Sequence, residues 1–292
     1  MGPTKILVTS QKGGVGKSTL TANLAAYFGQ FESRRVTLID FDHQASSYTW
    51  IQRAPVAGVT PLACDIVTER DPQLAALKMK QSLRSAERQS DLVFADLTWV
   101  NIFPQSMMLD FDVVLVPTSL SKVELSSTIE FVSRFAQVFN GPGALRPRLV
   151  LVPSRLHRTQ DYLDIFSQHN FPVKFSLTSP LPFELDIQSL YGQDYIFNTD
   201  NDSCRDSFFQ IGHELSRSFH NLQKAREKEE HSHKVTSMWH TRPRNGAGSS
   251  VLDNFVYERR SSGSPTPLVR AQVAAPKLST FDSFMGLLRR RS

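Results

Sequence analysis

Ten residues early in the chain, Gln11-Lys12-Gly13-Gly14-Val15-Gly16-Lys17-Ser18-Thr19-Leu20, have the types and spacing needed to hold a phosphate. Glycines at 13, 14 and 16 accept backbone conformations that a Cβ forbids, so successive N–H groups can turn inward on an anion. Gly16-Lys17-Ser18 matches the end of a phosphate-binding loop, where the lysine reaches the β- and γ-phosphates of a nucleotide and the hydroxyl ligates Mg²⁺. The ordinary pattern has glycine at position 11, where this chain has Gln11, and does not require a second lysine at position 12. Carboxylates recur at the ends of two later apolar runs: Asp40 and Asp42 after Val36-Thr37-Leu38-Ile39, and Asp96 after Leu92-Val93-Phe94-Ala95. In a parallel sheet, strand ends of this kind face the same crevice as the loop. The competing use of Asp40 or Asp42 is to cap a helix.

The loop needs a strand before it and a helix after it. Ile6-Leu7-Val8 is the apolar run in front, and Thr21–Tyr27 has helical spacing behind, so the helix starting near Lys17 adds its positive dipole end. Buried strands are expected at 36–39, 91–96, 112–119 and 148–153, and a short strand at 173–176. Helical spacing is read over 74–88, 123–139, 160–169 and 204–228, whereas 55–72, with three prolines, reads as a loop, as does 178–194.

Lys12-Gly13-Gly14-Val15-Gly16-Lys17-Ser18 resembles the deviant Walker A loop of the ParA/MinD family of ATPases. Asp40-Phe41-Asp42-His43-Gln44-Ala45-Ser46-Ser47, with Trp50 close behind, is similar to the ParA stretch Asp-x-Asp-Pro-Gln, with His43 in place of proline. The resemblance covers residues 5 to about 225. It implies an α/β fold, a doubly wound, mostly parallel sheet of the P-loop NTPase type, over a domain at 1–228. It also implies slow ATP hydrolysis with ATP and Mg²⁺. Gly13, Gly14, Val15, Gly16, Lys17, Ser18 and Thr19 would cradle the phosphates, and Ser18, Asp40 and Asp96 would organise the metal. Asp42 would orient water, Lys17 would act in cis, and Lys12 would reach across a homodimer with ATP sandwiched inside it. An activating or cargo-linking protein and nonspecific DNA are the partners implied. Relatives usually follow the aspartate at the place of Asp96 with Thr-Pro-Pro or similar; this chain has Leu97-Thr98-Trp99. Arg155 and Arg158 stand where relatives carry basic residues, and Arg205, Arg217, Lys224 and Arg226 form a basic face on the last helix. The first pair serves nucleic-acid or partner contact or simple solvation, and the second group DNA contact or simple solvation.

Composition divides the 292 residues. Residues 1–229 hold 23 basic and 24 acidic side chains, a balance of −1, whereas 230–292 hold 10 and 4, a balance of +6. Residues 229–277, rich in Ser, Gly, Pro, Arg and His without a period, read as a disordered basic linker; His231, His233 and His240 lack the framework of a metal site. In 278–292, an amphipathic helix would set Phe281, Phe284, Met285 and Leu288 on one side and Arg289 and Arg290 on the other. That make-up suits an anionic membrane surface, as in MinD relatives; docking on a partner or on the chain's own core, or a segment without order, are the alternatives. No run is long enough to span a membrane, no signal peptide is evident, and two separated cysteines, Cys64 and Cys204, suit a reducing compartment. The expected location is the cytoplasm, with the cell membrane's inner face or the nucleoid as the surface met.

Overall fold

The computed structural model describes residues 2–240 apart from 102, 142–145, 157–160 and 185; for 186 and 229–240 it describes the backbone alone. The strands are β1 (Thr4–Ser10), β2 (Val36–Asp40), β3 (Val59–Ala63), β4 (Leu92–Thr98), β5 (Val113–Thr118), β6 (Arg148–Leu156), β7 (Phe175–Leu177) and β8 (Leu181–Pro182). They form a sheet of order β3-β2-β4-β1-β5-β6-β7, with β8 beside β6 and every pairing parallel. The helices are α1 (Lys17–Phe31), α2 (Ser46–Arg53), α3 (Pro72–Glu87), α4 (Lys122–Arg134), α5 (Ala136–Asn140), α6 (Tyr162–Gln168), α7 (Asp186–Ser189) and α8 (Asp202–His240).

Alternation along each strand sends successive side chains to opposite faces, and both faces are apolar. Ile6, Val8, Leu38 and Phe94 pack with α1, α2 and α8 on one face. Leu7, Ile39, Val93 and Ala95 pack with α3, α4 and α5 on the other. The outcome is the expected doubly wound sheet. Its strand order reverses around β1, where such folds open a crevice at the carboxyl ends. Parallel register sets Asp40 opposite Asp96, and Ser10 opposite Thr98, at this crevice.

The elements depart from expectation in four places. The 55–72 stretch contains β3, an edge strand that tolerates Pro61 because only β2 lies beside it. The helix expected over 123–139 is two helices meeting at Phe135 (φ −100°, ψ 15°), whose buried ring lies 5.1 Å from that of Trp99. The 178–194 stretch holds β8 and α7. Finally, α8 continues to His240, so the boundary expected at 228/229 falls inside a helix. Residues 229–240 contain neither glycine nor proline to interrupt it.

Candidate active site

Gly14 (φ +73°) and Gly16 (φ +92°) lie in the left-handed region that a side chain resists. A Cβ added at 13, 14 or 16 would meet no protein atom within 4 Å, so the space above the loop is open. Gly16 caps α1 without a side-chain acceptor, which leaves first-turn amides for whatever enters that space. Ser10 Oγ donates to the Lys12 carbonyl at 2.7 Å and braces the entry. Lys12 is exposed. Lys17 is buried, with its Nζ 3.9 Å from Asp42 Oδ2, and Ser18 and Thr19 are half-buried beside it.

The three aspartates differ sharply. Asp40 is fully buried, and its carboxylate is taken up by donors. Its Oδ1 accepts from the Asp42 amide at 3.0 Å, and its Oδ2 accepts from the Ser47 amide (2.8 Å), the Ser47 hydroxyl (2.7 Å) and the Tyr48 amide (3.1 Å). It thereby caps α2, whose own N-cap residue, Ala45, has no side-chain acceptor. Asp42 is half-buried and accepts the Thr98 amide on Oδ1 (2.7 Å) and the Thr98 hydroxyl on Oδ2 (2.6 Å). Asp96 is fully buried, and both of its oxygens lack a hydrogen-bond partner. Burial above all, and then the neighbouring Asp40 charge, push the Asp96 carboxyl up to about 7, against the pull of Lys17 and the nearby Ser18 hydroxyl. Burial also raises Asp40, in spite of the hydrogen bonds from Ser47, Tyr48 and Asp42.

A buried carboxylate with no donor, beside a hydroxyl and under an open cradle of amides, fits a hard divalent cation. Ser18 and Asp96 would hold it, and it would offset phosphate charge there. A pocket continues past the loop between Gly14, Gly16, Thr19, Arg155, Pro182 and Phe183. Arg155 has φ +57° and pairs with Glu124. His43, at the position where proline is expected, is exposed and bonds Asp65 Oδ2 through Nδ1 at 2.9 Å.

The basic face of α8 is partly neutralised. Arg226 pairs with Asp112, and Arg205 with Asp202, whereas Arg217 and Lys224 are exposed. Arg158, the linker beyond 240 and the tail residues Phe281, Phe284, Met285, Leu288, Arg289 and Arg290 lie outside the described residues, as do the His231, His233 and His240 side chains. Sequence reasoning missed Thr98. The only signal was its place two residues after Asp96, where the resemblance expects proline.

Residues 6–267 match the family model described as the CobQ/CobB/MinD/ParA nucleotide binding domain, CbiA. The chain belongs to this family. One curated relative of this MinD/ParA member is the maintenance of carboxysome distribution protein A of Gloeobacter kilaueensis, 32% identical over 133 residues. That stretch is 45% of this chain and 56% of the relative, so the match spans about half of the relative's length. Among solved structures, the ATP complex of a Cyanothece McdA variant aligns with a TM-score of 0.58 at 17% identity, covering 73% of this chain and 96% of the other. MinD of Pyrococcus horikoshii OT3 complexed with Mg-ADP aligns with a TM-score of 0.58 at 16% identity, covering 75% and 98%. These structures share the fold. Among the described residues, no helix is long and apolar enough to cross a membrane.

Proposed function

We propose that the chain is a slow ATPase of the MinD/ParA type, a switch that dimerises with ATP, binds a surface in that state and so positions a cargo. The observation that carries this reading is the donor-free Asp96 carboxylate beneath the glycine loop, next to Lys17 and Ser18. In this scheme the amides of Gly13 to Ser18 hold the phosphates, and Lys17 neutralises charge in cis. Ser18 and Asp96 would hold Mg²⁺, which would supply positive charge beside the phosphates. Asp42 positions the attacking water, and Asp40 anchors α2 behind it. Lys12, exposed at the rim, reaches the phosphates held by the second copy. An activating partner sets the rate, and hydrolysis resets the switch.

Lys12→Ala tests the shared site. It should bind nucleotide about as tightly as the unaltered protein but lose turnover, and undiminished hydrolysis would remove the trans assignment. The surface is read by co-sedimentation with plasmid DNA and with anionic liposomes, each with ATP and with ADP, for the full chain and for residues 1–240. DNA retention that needs ATP and survives truncation supports a nucleoid-tracking switch. Liposome pelleting that truncation abolishes supports the second reading, a membrane-cycling switch or a weakly hydrolysing scaffold. That reading is favoured by the Phe/Met/Leu and Arg segregation over 281–290.

A further inference from the structure

We propose that Thr98 is a positioning residue that fixes the Asp42 carboxylate for its work on water; this rests on the role given to Asp42 above. β2 ends at Asp40, and the Phe41 amide donates the next bond, to the Asp96 carbonyl, at 2.9 Å. Residues alternate in the direction they bond, so Thr98 is the next β4 amide facing that side, where no strand remains to accept it. Asp42 Oδ1 takes the place of the missing carbonyl at 2.7 Å, and the hydroxyl of the same threonine donates to Oδ2 at 2.6 Å.

Two bonds from one residue to two oxygens fix both the place and the plane of the carboxylate. They hold Oδ2 3.9 Å from Lys17 Nζ, beyond the roughly 2.7–2.9 Å of a charge-assisted hydrogen bond, so the lysine stays available to phosphate. Thr98 is itself anchored. The Trp99 amide donates to the Ser10 carbonyl at 3.0 Å, and the Trp99 ring packs in a buried cluster with Phe103, Phe131 and Phe135. Proline at position 98 would supply neither donor, so the clamp is a property of this chain.

The test compares Thr98→Val with Thr98→Ser. Single-turnover hydrolysis should fall about tenfold or more in the valine variant and recover in the serine variant, with ADP affinity within about threefold throughout. Valine turnover close to that of the unaltered protein, or serine as impaired as valine, overturns the proposal. A second readout needs no activity: melting temperatures of nucleotide-free Thr98→Val, Asp42→Asn and the double variant. Shifts that fail to add support the contact even if the unaltered protein does not hydrolyse ATP, in which case the ATPase reading falls alone. Additive shifts overturn the proposal whatever the turnover.

Discussion

Asp40 and Asp96 stand opposite each other in register on neighbouring strands and are equally hidden from solvent, yet one accepts four hydrogen bonds and the other none. Burial is therefore not what distinguishes a site from a support. The Asp40 carboxylate is matched to donors of its own fold and holds a helix in place. The Asp96 carboxylate is dehydrated and offset only in part, by the Lys17 charge and the nearby Ser18 hydroxyl, a cost that the fold carries unless a cation enters.

Breaking each side of this contrast should give opposite signatures. The largest effect is expected from Asp96→Asn, with turnover falling about a hundredfold or more while the melting temperature of the nucleotide-free protein rises. Turnover assays paired with scanning fluorimetry read both, and a loss of stability would show that Asp96 has structural partners. Next, Asp40→Ala should destabilise the nucleotide-free protein by about 3 kcal/mol, because it strands the amides of Ser47 and Tyr48; urea unfolding measures this. The smallest effect is on pH dependence. Asp96 titrates near 7 in the folded protein and near 4 in the unfolded chain, so below about pH 4 both states are protonated and the group contributes nothing. Between about 4 and 7 the unfolded chain releases its proton first. Stability should therefore fall as pH rises, with the loss complete above about 7. Melting temperatures from pH 5 to 8 should slope downward in the unaltered protein and less steeply in Asp96→Asn.

Much of the arrangement was legible beforehand because it is local. Three glycines before Lys17 announce the loop, and uninterrupted apolar runs ending in Asp40 and Asp96 announce central strands. What was hidden depends on residues far apart in the chain. Nothing around Pro61 marks it as part of a strand, since its acceptability depends on which side of β2 remains open. Four cations on α8 look alike in sequence, but Arg226 meets Asp112 across 114 positions. The assignment of Asp42 to water and of Asp40 to the metal shell came from resemblance. Only the fold shows that Asp40 is occupied with α2, and that Thr98, 56 positions away, donates to Asp42. Local pattern identifies which residues can do chemistry, and long-range hydrogen bonding decides which are free to do it.

The two tryptophans with described side chains turn these couplings into something visible. Trp50 sits in the helix that Asp40 secures, its indole N–H donating to the Asp194 carbonyl at 3.0 Å, and Trp99 directly follows Thr98. With Trp239 replaced, the native emission of the protein becomes a two-channel gauge of the two cores. One indole reports from the core on each face of the sheet, so a change on either side can be followed without an attached dye.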